Sequence, residues 1–107
     1  MVNYTATEVP QWNGAKFWYQ NGELHCNNGP ATIYPDGSEE WYQRGKRHRD
    51  SAPAVFYSSD NLSYWYQHGV LHRDDGPAVT HIDGGGDWYL NGVLRSVLKY
   101  PLDIKFT

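Results

Sequence analysis

The sequence predicts an all-β fold, a single domain of recurring antiparallel β-hairpins. Four Trp-Tyr pairs begin at Trp18, Trp41, Trp65 and Trp88, so the motif recurs every 23 or 24 residues, which is the signature of an internal repeat. Each pair is followed by a turn that ends in Gly, and Gly and Pro recur too often for a helical periodicity to develop. We therefore expect each repeat to form two antiparallel strands.

Residues 1–17 are interpreted as an N-terminal cap. The first nine residues alternate loosely in polarity and end at Pro10, and Asn13-Gly14 favours the positive φ angles of a tight turn. A strand here would protect the open edge of the first repeat, because an uncovered strand edge invites pairing with another chain.

The predicted repeats span residues 18–40, 41–64 and 65–87, and a partial repeat spans 88–95. A two-residue hairpin turn places Tyr42 opposite Arg47. The same register gives the pairs Trp41–His48, Trp18–His25, Tyr19–Leu24, Gln20–Glu23, Trp65–His72, Tyr66–Leu71, Trp88–Arg95 and Tyr89–Leu94. Because imidazole and guanidinium both stack well on an indole, we expect the His or Arg opposite each Trp to cover it.

A Gly-Pro-Ala or Ala-Pro-Ala segment interrupts the return strand of each full repeat. Proline lacks the N–H that a sheet ladder needs, so this segment predicts a bulge or a bend. The chain then resumes as a strand and reaches the next Trp through a turn. The residues assigned a structural role in the repeat are Trp18, His25, Pro30, Pro53, Pro77, Trp88 and Arg95.

Residues 96–107 differ in character and are interpreted as a C-terminal capping strand. Apolar and polar residues alternate from Leu98 to Phe106, which is the period-2 pattern of a half-buried strand. Pro101 favours an edge position for this strand. We expect it to cover the apolar surface of the last repeat.

The unit from Glu40 to His48, with its aromatic strand, two-residue turn and basic return, resembles a divergent membrane occupation and recognition nexus (MORN) repeat. It differs from that family in the Gly-Pro-Ala segment that replaces the usual glycines and in the Tyr after each Trp. This variant is similar to small proteins of bacteriophages and large viruses, and the match covers roughly residues 8–95. The resemblance implies an elongated, twisted antiparallel meander that is often dimeric and binds proteins.

The composition limits both the core and the partners. A chain of 107 residues with a mean hydropathy of −0.75 offers little aliphatic material, so its 5 Trp, 9 Tyr and 3 Phe are expected to carry the packing. A net charge of −3 argues against DNA binding, which needs a dense field of Lys and Arg. Cys26 is the only cysteine, which suits a reducing compartment. Since no apolar run of about 18 residues occurs, we expect a soluble, cytoplasmic protein without integral membrane association.

No residues combine into a predicted metal, cofactor or catalytic site. His25, His48 and His72 recur, but equivalent positions in neighbouring repeats lie two strands apart, about 9–10 Å. Zinc ligands lie only about 2 Å from the ion, so the three imidazoles cannot share one. The recurring Asp, Asn and Ser residues sit at turn positions and lack the sequence context of a nucleophile. The sequence therefore predicts a protein that is not an enzyme.

The predicted function is binding. Alternation puts the Trp ladder on one face of the sheet and the Tyr ladder on the other, and basic residues concentrate in the middle repeats. The predicted partner-binding residues are Trp41, Tyr42, Arg44, Arg47, His48, Arg49, Trp65, Tyr66, His72 and Arg73. We expect a protein partner, and a specific form of this hypothesis is a phage-encoded inhibitor of a host defence protein in the host cytoplasm. Two alternatives stay open: sequestration of an anionic nucleotide, and a structural scaffold formed by homo-oligomers.

Overall fold

The computed structural model describes residues 6–82 and 84–98, and every regular element within these ranges is a β-strand. The fourteen strands are β1 (Thr7–Pro10), β2 (Lys16–Gln20), β3 (Glu23–Leu24), β4 (Thr32–Ile33), β5 (Glu39–Glu40), β6 (Tyr42–Gln43), β7 (Lys46–Arg47), β8 (Val55–Tyr57), β9 (Leu62–Tyr64), β10 (Tyr66–Gln67), β11 (Val70–Leu71), β12 (Val79–Thr80), β13 (Gly86–Leu90) and β14 (Val93–Leu98). Their pairs are antiparallel throughout, so the predicted all-β antiparallel fold is confirmed. Within these ranges no helix is long and apolar enough to cross a membrane.

Ten strands belong to one sheet. Its order is β1-β2-β4-β5-β8-β9-β12-β13-β14, with β3 paired to β2. The two middle hairpins, β6–β7 and β10–β11, form separate two-stranded ladders. The radius of gyration is 15.9 Å, whereas a compact chain of this length is expected to have about 13 Å, so the molecule is elongated.

The hairpins have the registers predicted from their turns. Tyr42 pairs with Arg47, and the same register joins Tyr19 to Leu24, Tyr66 to Leu71 and Tyr89 to Leu94. Both turn residues have positive φ, for example 51° at Arg44 and 80° at Gly45. This is the geometry of a type I′ turn, whose twist matches that of the paired strands.

Each repeat is more than the two predicted strands, because the chain changes its hydrogen-bonding partner at the Trp. The Trp41 N–H donates to the Ala54 carbonyl at 2.6 Å, whereas the Trp41 carbonyl accepts the His48 N–H at 3.0 Å. Trp41 therefore bonds through its N–H to the residue just before β8, and through its carbonyl to the residue just after β7. The same two bonds recur at Trp18 and Trp65. Each full repeat thus contributes both a hairpin and a pair of sheet strands.

The core consists of small side chains rather than of aromatic rings. Ala31, Ala54 and Ala78, which end the proline-containing segments, are 0% exposed, and Val55 is 1% exposed. The repeat Trp residues are only half-buried. The fully buried positions are therefore small residues, and the aromatic rings are only partly covered. The molecule measures 61 × 29 × 16 Å, so it is long and thin.

The two ends of the sheet are closed differently. β1 pairs with β2 along its whole length, whereas β14 pairs with β13 through a ladder interrupted by a bulge that places Ser96 opposite Trp88. The predicted Trp88–Arg95 pair is therefore wrong, because Arg95 is the extra residue of the bulge. Of the two predicted caps, residues 1–5 and 99–107 lie outside the described residues.

The enclosed alanines predict a strict limit on side-chain size. Replacing Ala54 by Leu adds an isobutyl group at a position that solvent does not reach, so we expect the free energy of unfolding to fall by about 1–3 kcal/mol, as in other overpacked cores. Ala52→Leu, in the same segment but half-buried, should change it by less than about 0.5 kcal/mol. Denaturant unfolding followed by tryptophan fluorescence measures both, and equal losses would contradict the assignment of the core.

Candidate functional site

Side chains alternate between two faces, which we name the Trp face and the Tyr face. The Trp41 indole N–H donates to the Glu39 carboxylate at 3.0 Å, so these two residues share the Trp face. The Tyr42 hydroxyl donates to the Glu40 carboxylate at 3.1 Å, and both lie on the Tyr face. The predicted separation of the two aromatic ladders therefore holds in this repeat.

Arginine side chains cover the indoles of the Trp face. The guanidinium carbon of Arg49 lies 3.7 Å from the centroid of the Trp41 ring, and that of Arg73 lies 3.9 Å from the Trp65 ring. Each guanidinium also donates to the carbonyl of the proline in its own repeat, at 3.2 and 3.1 Å. A cation–π contact of this kind contributes about 0.5–2 kcal/mol. Each stack therefore fastens the hairpin to the bend that follows it.

The ring contacts found among the described residues do not include the predicted stacking of His on Trp. The imidazoles instead bind the turn of the next hairpin. The Nδ1 atom of His48 accepts the N–H of His68 at 2.9 Å, and its Nε2 atom lies 3.3 Å from an Asp50 carboxylate oxygen. The corresponding pairs are His25 with the Arg44 N–H and His72 with the Asn91 N–H, both at 2.8 Å. Within the described ranges, no group of three His, Cys, Asp or Glu side chains could hold a metal ion.

The last repeat has Arg95 where the three full repeats have His. Sequence reasoning interpreted Arg95 as a stacking substitute for His, but the stacking arginine lies one position later. That position holds Cys26, Arg49, Arg73 and Ser96 in the four repeats.

Two equivalent clefts open on the Trp face. The first, of about 470 Å³, is lined by Asn27, Trp41, Gln43, His48, Arg49 and Asp50. The second, of about 450 Å³, is lined by the matching Trp65, Gln67, His72 and Arg73, with Asp50 and Asp74 at its sides. Each cleft combines an indole, an immobilised guanidinium and an amide. It can therefore contact an apolar group and several polar groups at once.

Acidic side chains form the rim of these clefts. Asp50, Asp74 and Asp75 have 81–84% of their side-chain surface exposed. Arg49 and Arg73, by contrast, are half-buried against the indoles. The middle of the chain is rich in basic residues, yet the most exposed charges around the clefts are negative.

A buried carboxylate lies at the centre of the Tyr face. Glu40 is 7% exposed and accepts hydrogen bonds from the hydroxyls of Tyr42, Tyr57 and Thr32 at 3.1, 3.4 and 3.4 Å. Arg47 Nη2 donates to Glu40 Oε2 at 3.5 Å. The desolvation cost of a buried ion pair is close to the attraction that it gains. The three hydroxyls therefore supply hydrogen bonds that this carboxylate requires.

The tyrosines around Glu40 titrate above their ordinary pKa of 10.0. Burial raises the pKa of both Tyr42 and Tyr57, and the negative charge of Glu40 raises both further. The cluster continues through Tyr64, which contacts Tyr57 edge to face at 5.9 Å and stacks on Tyr66 at 6.5 Å. Neutral phenols and one buried carboxylate therefore occupy the middle of this face.

Comparison of the repeats with one another sets Glu40 and Arg47 apart. The residue before the repeat Trp is Phe17, Glu40, Tyr64 and Asp87 in turn. The residue opposite the repeat Tyr is Leu24, Arg47, Leu71 and Leu94. Only the second repeat places a carboxylate and a guanidinium at these two positions, and there they meet.

The predicted partner-binding residues are divided between the two faces. Those that line the clefts of the Trp face are Trp41, His48, Arg49, Trp65, His72 and Arg73. Those in the cluster around Glu40 are Tyr42, Arg47 and Tyr66. Arg44 lies in a hairpin turn with its side chain exposed. The structure therefore does not gather these residues into one surface.

Sequence reasoning missed Glu40, Asp50 and Asp74. The sequence signal for Glu40 was the basic residue Arg47 in the same hairpin, because the other repeats have Leu at the position of Arg47. The signal for the two aspartates was their spacing, since each lies two residues after a repeat His and contacts it.

The raised pKa values predict how stability depends on pH. A folded-state pKa above the unfolded value favours the neutral phenol, so this stabilisation is complete below about pH 10 and is lost as the pH rises further. We expect the free energy of unfolding to fall between pH 9.5 and 11.5, and to fall less in the Tyr42→Phe, Tyr57→Phe variant. Urea unfolding across this range measures the slopes, and identical slopes would exclude the two tyrosines as the cause.

Comparisons of this chain with protein-family models, with curated proteins and with solved structures find no significant match.

Proposed function

We propose that the chain is a non-enzymatic binding module that docks on a partner protein through its Trp face. The observation that carries this proposal is the recurrence of one cleft in two consecutive repeats, each with a guanidinium held on an indole. Trp and Arg residues dominate the binding energy of many protein interfaces. Side chains that are already immobilised lose little entropy when a partner binds.

The dimensions of the face suit such a partner. The molecule as a whole is 61 Å long and 29 Å wide, and a standard interface buries about 800 Å² on each partner. A partner of ordinary size can therefore cover both clefts together.

The chemistry of the clefts favours a protein over an anionic nucleotide. A nucleotide base would need an indole surface for stacking, but guanidinium groups already cover one side of Trp41 and Trp65. Asp50 and Asp74 on the rim would repel a phosphate group. Basic and hydrogen-bonding side chains of a protein would complement the same groups.

The resemblance to MORN-like proteins of bacteriophages and large viruses supports a more specific form of the proposal. In that form the chain is a viral inhibitor that acts in the host cytoplasm by binding a host defence protein. A small chain that presents a preformed surface needs no catalytic machinery for this task.

Charge reversal on the rim tests the proposal. Asp50→Lys with Asp74→Lys changes two exposed carboxylates that line the clefts, and exposed ion pairs contribute only about 0–1 kcal/mol to stability, so the fold should persist. We expect affinity capture from host lysate, quantified by mass spectrometry, to recover at least about tenfold less of the specifically captured protein than the wild type does. A tenfold change corresponds to about 1.4 kcal/mol of binding free energy.

Asp60→Lys, compared with Asp50→Lys alone, is the matched control. It makes the same charge change at one exposed turn position outside the clefts, and the captured protein should stay at the wild-type level. Equal losses in the two variants would indicate a non-specific charge effect and would reject the Trp face as the docking surface. A thermal shift with nucleotides, combined with no specific capture, would instead support the nucleotide alternative.

A further inference from the structure

A cleft on the Tyr face holds the one carboxylate that the repeat comparison singled out. The cleft measures about 520 Å³ and is lined by Tyr34, Pro35, Asp36, Ser38, Glu40 and Tyr57. These residues include two carboxylates and two phenol rings but no Lys, Arg or His. The lining is therefore negatively charged and partly aromatic.

The aromatic side chains of the cleft are fixed by their neighbours. Tyr34 contacts Phe17 edge to face at a centroid distance of 5.9 Å. Tyr57 contacts Tyr64 in the same manner and donates its hydroxyl to Glu40. A cleft whose side chains are already ordered binds a ligand with little loss of entropy.

The Glu40 carboxylate is neutralised only loosely. Among the described residues, its ion-pair contact with Arg47 is 3.5 Å long and its shortest hydrogen bond, from Tyr42, is 3.1 Å. Charge-assisted N–H···O bonds are typically about 2.7–2.9 Å long. Arg47 is not among the residues that line the cleft. A cation that enters from the cleft side would therefore compete with these long contacts for the Glu40 oxygens.

The other repeats lack this arrangement. Where the second repeat has Glu40 and Arg47, the first has Phe17 and Leu24, and the third has Tyr64 and Leu71. Apolar residues can replace a buried ion pair without loss of stability. The structure of the neighbouring repeats shows that this sheet accommodates them, so the fold itself does not require the pair.

We propose that this cleft binds an organic cation, an alkylammonium or guanidinium group, with Glu40 and Asp36 as its counter-charges. Tyr34 and Tyr57 contribute cation–π attraction. Asp36 is held by the Ser38 N–H at 2.8 Å, which lowers the pKa of its carboxyl group and keeps it ionised. The site lies on the face opposite the Trp-face clefts and does not depend on the function proposed for them.

Two sources supply such a cation: a Lys or Arg side chain of a protein, and a free amine in solution. N-acetyl-lysine methylamide represents the first source and spermidine the second, while N-acetyl-norleucine methylamide is the neutral isostere of the lysine probe. Titrations followed by the NMR signals of the Tyr34 and Tyr57 rings should show saturable shifts with at least one cation and none with the neutral probe. Saturation by the lysine probe alone assigns the site to a protein side chain, and saturation by spermidine assigns it to a free amine.

Substitutions of Glu40 separate binding from folding. Glu40→Gln removes the charge and should weaken cation binding by about tenfold or more, because a hydrogen bond to a charged group is stronger than one to a neutral group. Asp60→Asn, which changes an exposed carboxylate at the corresponding turn of the next repeat, should leave the affinity unchanged.

A second variant distinguishes loss of cation binding from loss of the fold. Glu40→Phe with Arg47→Leu gives the second repeat the residues of the first, so it should retain the thermal unfolding midpoint and lose cation binding. Shifts of equal size with the neutral probe, or unchanged affinity in Glu40→Gln, would overturn the proposal.

Discussion

The hydrogen bonds at Trp18, Trp41 and Trp65 hold the hairpins to the neighbouring sheet strands. Through its N–H each of these residues bonds to the buried Ala of the bend, and through its carbonyl it bonds to the His of the hairpin. At Trp41 and Trp65 an Arg one residue after the His then rests on the indole and reaches the carbonyl of the proline before that Ala. These contacts determine where the hairpin lies relative to the sheet, and the two faces follow from that placement.

The contacts between repeats also determine which charges are presented. Imidazoles are engaged by backbone N–H groups of the next hairpin, and Arg49 and Arg73 are engaged by indoles and carbonyls. The residues left exposed around the clefts are aspartates. A sequence whose middle is basic thus folds into a surface with an acidic rim, because the long cationic side chains serve the packing of the repeat.

Equivalent positions can be compared between the internal repeats. Most positions keep one residue type because each serves the same bond in every copy, as His25, His48 and His72 do. Glu40 and Arg47 break the pattern together and form an ion pair inside a cluster of phenols. A joint departure of this kind indicates a local role that the repeat as a whole does not need.

The sequence alone determined the antiparallel hairpins, their register and their type I′ turns, because these depend on local preferences that recur with the motif. It also separated the Trp face from the Tyr face, since alternation along a strand is a local property. Only the tertiary structure decided which cation covers Trp41 and Trp65, which small residues form the core, and that Glu40 meets Arg47. Those outcomes depend on the change of bonding partner at Trp41 and its equivalents, because the regular hairpin ladder ends there at the Tyr and the register that predicts contacts within the hairpin no longer applies.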